Sequence, residues 1–119
     1  MSDIVTKTNL YNSKLNFEET INYIKDTILD RVNAKYIYLF GSCAWGTPDK
    51  SSDIDIYTVL PDSYKDTLDI YTDIVLKLSY NNIFFIDLLL IPYSVFNSRK
   101  ENYIFEKNIF TKGKLIYAS

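Results

Sequence analysis

The residues whose types and spacing could do chemistry are Gly41-Ser42, Asp53-x-Asp55 and Asp87. Asp53-Ile54-Asp55-Ile56 opens an apolar run over 53–60. Side chains alternate along a strand, so the two carboxylates share one face while the two isoleucines take the other. Carboxylates two residues apart on one face can share hard divalent cations such as Mg2+, which take oxygen ligands. Gly41 closes the preceding apolar run, 35–40. Glycine can adopt backbone angles closed to other residues, and its N–H can come close to a phosphate. The two halves read as one site, with phosphates on the Gly-Ser turn and metal on the Asp pair. Asp87 interrupts a third run, 83–91, which is apolar on both faces like a central strand covered on both sides. A carboxylate buried there costs several kcal/mol unless it is neutralised or offered to a cation. The residues alone leave those two possibilities open.

The elements that must position these residues follow from periodicity. Asn16, with Glu19 three residues on, has the form of a capping box. Phe17, Ile21, Ile24 and Ile28 then mark one face of a helix, which is expected to stop near 31–33 with Asn33 as a left-handed cap. Strands are predicted over 35–40 and 53–60. A second helix is expected from Ser63 as N-cap with Asp66 at its third position, burying Tyr64, Leu68, Tyr71, Val75 and Leu78. Asp62, Asp66, Asp69 and Asp73 fall off that stripe and read as a solvated acidic face. Asn81-Asn82 makes a turn, Pro92 ends the third strand, and 94–110 holds one or two further helical stretches. Gly113 turns the chain into a short last strand over 114–118. This order predicts an α/β (α+β) domain with a mixed sheet and helices mainly on one face. The carboxylates would lie on neighbouring strands, on the face away from the helices. Residues 1–15 read as an N-terminal extension and 16–119 as a single domain.

Composition narrows the function. Hydrophobic residues make up 47% and charged residues 24%, as in ordinary soluble globular proteins. The net charge of −2 offers no basic excess to hold long nucleic acid, which argues against a template-directed polymerase and for a small nucleotide. The chain has no His, which excludes His-dependent triads, and its single Cys43 cannot make a zinc site alone. One Cys gives no disulfide framework, the N-terminus lacks a signal-peptide core, and no apolar stretch is long enough to span a membrane. A cytoplasmic location, without membrane attachment, is the expectation.

Gly41-Ser42, ten residues, then Asp53-x-Asp55 resembles the signature of the polymerase-β-like nucleotidyltransferase superfamily. Within it, the chain is most similar to the minimal nucleotidyltransferases, small domains often paired with a HEPN-type toxin. The resemblance implies the polymerase-β-like fold. It implies Asp53, Asp55 and Asp87 as catalytic and metal-binding residues, Asp87 standing where the family has its third acid. It also implies Gly41, Ser42 and Ser52 as nucleotide-binding residues, two Mg2+ ions, and ATP as substrate. Trp45 stands where many members carry Arg and reads as packing beneath the loop; Lys50 reads as a solvated loop lysine.

Members of this group act as antitoxins that transfer AMP from ATP to a tyrosine of a partner HEPN toxin encoded nearby. The resemblance therefore implies an Mg-dependent nucleotidyltransferase, a protein adenylyltransferase with antitoxin activity. The larger relatives that modify aminoglycosides carry an added helical domain absent from this chain, which argues against a drug as acceptor. The alternative is a non-catalytic antitoxin that inhibits its partner by contact or only senses nucleotide. Eleven Tyr and seven Phe could furnish such an interface.

Overall fold

A computed structural model of the chain describes residues 16–41 and 53–119. Helix α1 spans Phe17–Arg31 and opens on the expected capping box. Asn16 Oδ1 accepts the Glu19 N–H at 2.7 Å, and Glu19 Oε1 accepts the Asn16 N–H at 3.0 Å. Two N–H groups that the helix cannot satisfy itself are thereby paired, a contribution of about 1 kcal/mol. Ile21, Ile24 and Ile28 are buried, as their spacing required. The helix does not stop on a left-handed Asn33. Val32 is already extended (φ −140°) with its N–H on the Ile28 carbonyl at 3.0 Å, and the Asn33 N–H donates to the Tyr64 hydroxyl at 2.8 Å. Among the described non-glycine residues, the left-handed one is Asn82 (φ 63°), in the expected Asn-Asn turn.

Strands β1 (Tyr36–Phe40), β2 (Ile54–Leu60), β3 (Ile86–Pro92) and β4 (Lys114–Ala118) form one mixed sheet in the order β3-β2-β1-β4. β1 is antiparallel to β2 and to β4, whereas β2 and β3 run parallel. Alternation sorts the sheet into two faces. Ile37, Leu39, Ile54, Ile56, Leu60 and Leu88 join the core that α1 and the second helix, α2 (Thr67–Ser79), build on one face. Tyr38, Tyr57 and Val59 point the other way and are covered by Phe96 and Ile109. Those two residues belong to the short helices α3 (Tyr93–Arg99) and α4 (Ile104–Lys112). The two longer helices thus share one face. The opposite face, expected to be away from the helices, is instead covered in part by α3 and α4, because its Tyr38, Tyr57 and Val59 are apolar enough to need a cover.

Two expectations are corrected here. First, α2 starts at Thr67, with Asp66 as an N-cap whose side chain makes no capping bond. Ser63 is not its cap, because the preceding residues are committed elsewhere. Asp62 accepts the Ser94 N–H at 3.0 Å, and Tyr64 turns back to the end of α1. The buried stripe is Ile70, Ile74 and Leu78, leaving Leu68 75% exposed. The acidic face is exposed as expected, and Asp73 from it bonds Arg31 at 2.8 Å across to α1.

Second, the run 83–91 is not a central strand. β3 begins at Ile86 and lies at the edge of the sheet. Ile83 belongs to the turn, its N–H on the Leu78 carbonyl at 3.1 Å, and Phe84 and Phe85 are exposed. β3 is apolar on both faces because Leu88 and Leu90 meet the α1–α2 core while Leu89 and Ile91 meet the aromatic core opposite. A two-sided apolar pattern reports two covered faces, not a central place in the sheet. Asp87 is exposed, so the cost of burial does not explain it.

Candidate active site

Strand register brings the carboxylates together. Asp55 is the direct partner of Asp87 across the parallel β2–β3 ladder, and of Phe40 across the antiparallel β1–β2 ladder. Partners in register share a face, so Asp55 and Asp87 point together on the aromatic face. Asp53, just ahead of β2, is on the same face by alternation and is exposed. Its charge reaches Asp55. Among the described residues, no group of three or more His, Cys, Asp or Glu side chains is gathered closely enough to hold a metal on its own. The assembled unit is the Asp55–Asp87 pair.

Burial pushes the Asp55 carboxyl up to about 6, helped by the hydrogen bond and charge of Asp87 and then by the charge of Asp53. A hydrogen bond between two carboxyls needs a proton on one of them. A divalent cation placed there would satisfy both groups ionised. Gly41 bears out its sequence reading, with a φ of 74° in the left-handed region. A Cβ built on it would overlap Asp55 Oδ2 and stand 3.2 Å from the carboxyl carbon. The missing side chain lets the Asp55 carboxylate sit directly against the Gly41 backbone. These features fit Mg2+, which takes one or two carboxylates and completes its shell with water and substrate phosphates. Ser42 and Ser52, together with Cys43, Trp45 and Lys50, lie outside the described residues, as does the stretch 1–15.

Beneath this end of the sheet lies a polar network missing from the sequence reading. Tyr57, two residues beyond Asp55, donates its hydroxyl to Glu106 Oε2 at 3.0 Å. Arg99 Nη1 stands 3.8 Å from the same oxygen. Glu106 is only 4% exposed. Desolvation, with Glu106 beside it, raises the Tyr57 phenol well above its ordinary range and holds it as a donor. The signal available in the sequence was spacing, since Glu106 falls three residues before Ile109 on the inward face of α4.

The polymerase-β nucleotidyltransferase family model matches residues 10–119. A Methanocaldococcus jannaschii protein, provisionally named a protein adenylyltransferase, is 31% identical over 106 residues, covering 89% of this chain and 99% of its own length. The fold is similar to that of a chain from a toxin–antitoxin complex crystallised with AMP-PNP, with a TM-score of 0.60 and 25% identity over 82% of this chain and 73% of that one. It is also similar to a chain of the Shewanella oneidensis complex of a tri-AMPylated HEPN toxin with an MNT antitoxin. That match has a TM-score of 0.56 and 22% identity over 86% and 72% of the two chains. No described helix is long and apolar enough to cross a membrane. With the glycine turn, the paired carboxylates and the strand register all in place, the chain belongs to the polymerase-β nucleotidyltransferase family.

Proposed function

We propose that this nucleotidyltransferase transfers AMP from ATP to a tyrosine of a HEPN-type partner toxin, and so acts as an antitoxin. The observation that carries the reading is the Asp55–Asp87 pair set against the side-chain-free Gly41. The M. jannaschii relative named for protein adenylylation supports a protein acceptor. Asp53, Asp55 and Asp87 would hold Mg2+, which supplies charge neutralisation at the triphosphate when bound. The acceptor oxygen forms a bond to the α-phosphorus while the bond from that phosphorus to the bridging oxygen breaks, and pyrophosphate leaves. Asp87, the more exposed member of the pair, takes the proton of the acceptor hydroxyl. Gly41 and Ser42 would cradle the β- and γ-phosphates, and Ser52 would join them in binding the nucleotide. Outside the site, Leu68, Leu76 and Tyr80 stand exposed on or next to α2 and offer apolar surface to a protein partner.

The test is incubation with ATP and Mg2+, with and without the HEPN protein of the neighbouring gene, followed by mass spectrometry of both proteins. The wild-type chain should add AMP to a partner tyrosine, and Asp53→Asn should reduce this by 10³-fold or so, the size of several kcal/mol of lost transition-state stabilisation. A stable complex with neither protein modified would favour inhibition by contact. Undiminished transfer by Asp53→Asn would remove that residue from the site.

A further inference from the structure

Phe105, near the start of α4, is 46% exposed and packs against two aromatic neighbours. Its ring lies 5.5 Å from that of Phe40 at an interplanar angle of 89°, and 6.0 Å from that of Tyr57 at 52°. Both neighbours are tied to the carboxylates. Phe40 is the cross-strand partner of Asp55 and precedes Gly41; Tyr57 is the next residue after Asp55 on the same face. The residue following Phe105 is the buried Glu106, fixed to Tyr57 and close to Arg99. A half-exposed aromatic ring therefore stands one side chain beyond Asp55, next to a residue whose side chain is tied to the strand that carries Asp55.

We propose that Phe105 is the platform on which the nucleobase of the bound nucleotide stacks. The inference rests on the nucleotidyltransferase reading and adds the subsite for the base. A nucleotide with its phosphates at Gly41 and Asp55 extends its base away by the length of a sugar, and Phe105 packs on Phe40 and Tyr57, the side chains next to Asp55 on the same face. Stacking on an aromatic face accepts any base, because every base has a π-face. Phe105 thus supplies affinity for nucleosides over bare polyphosphate rather than a choice among bases.

The experiment is equilibrium binding to the full chain in Mg2+, with ATP and inorganic tripolyphosphate as separate probes. Phe105→Ala should weaken ATP binding by about 5- to 100-fold while leaving tripolyphosphate binding unchanged. Phe105→Trp should restore ATP affinity, and the other three nucleoside triphosphates should weaken in parallel with ATP. Unchanged ATP affinity in Phe105→Ala, with binding of the HEPN partner lost instead, would assign Phe105 to the protein interface and overturn the proposal. Equal weakening of ATP and tripolyphosphate would overturn it too, since that is the signature of general damage. A wild-type chain that binds tripolyphosphate but not ATP would sink the base platform alone, and one that binds neither would remove the nucleotidyltransferase site as well.

Discussion

Replacing Asp55 by Asn is expected to move activity and stability in opposite directions. Transfer should fall by 10³-fold or more, because the proposed function has this carboxylate hold the metal at the triphosphate. The metal-free protein should become more stable at pH 7.5. The sign follows from the raised carboxyl, which goes from an ordinary 3.8 to about 6. A carboxyl raised in the folded state contributes stability that is complete below the unfolded value and is lost as pH rises through the folded one. The metal-free wild type should therefore lose stability between about pH 4 and pH 6. The whole shift corresponds to about 3 kcal/mol. Asp55 is partly open to water, and screening reduces the expected effect to about 1–2 kcal/mol. Asn carries no charge at any of these pH values, so Asp55→Asn should escape the loss and melt a few degrees higher at pH 7.5. Mg2+ should raise the melting temperature of the wild type and not that of the variant. Thermal denaturation from pH 4 to 8, with and without Mg2+, checks each of these. A variant less stable than wild type at pH 7.5 would show that Asp55 is held by favourable partners rather than against burial and the charges beside it.

Gly41→Ala should lose activity while lowering stability. Holding alanine in the left-handed region costs about 1–2 kcal/mol. The added methyl also overlaps Asp55 Oδ2, so the carboxyl must swing away or β1 must shift from β2. A displacement of about 1 Å at the reacting groups is enough to cost on the order of 10²-fold in rate. The expected result is a loss of about 1–3 kcal/mol in denaturant unfolding together with transfer reduced at least 100-fold. Wild-type rates in Gly41→Ala would mean that the close approach of Asp55 to Gly41 plays no part in catalysis. The two variants separate the site's contributions. Both stop the chemistry, but one relieves the fold and the other strains it.

Much of this arrangement was legible in the sequence because it rests on strand alternation and local turn chemistry. The shared face of Asp53 and Asp55 and the left-handed Gly41 depend on residues adjacent in the chain. So does the capping box of α1. The pairing of Asp55 with Asp87 was legible in outline, since neighbouring strands were expected, but its register comes from packing. The errors came where a distant partner decided the outcome. Ser63 looks like an N-cap, yet Asp62 and Tyr64 are drawn off by Ser94 and Asn33, some thirty residues away, and the helix starts later. Asp87 seemed to be buried because a doubly apolar run was read as central, although helices on both faces produce the same pattern at an edge. Glu106 was not singled out at all, because its partner Tyr57 lies 49 residues earlier.

The central claim is nucleotidyl transfer at the Asp55–Asp87 pair, and the most direct measurement supplies ATP labelled either at the α- or at the γ-phosphate. With Mg2+ and the HEPN partner present, α-label should appear on protein and γ-label should leave as pyrophosphate, both vanishing in Asp55→Asn. Label arriving on protein from the γ-position would mean phosphoryl rather than nucleotidyl transfer and would contradict the account.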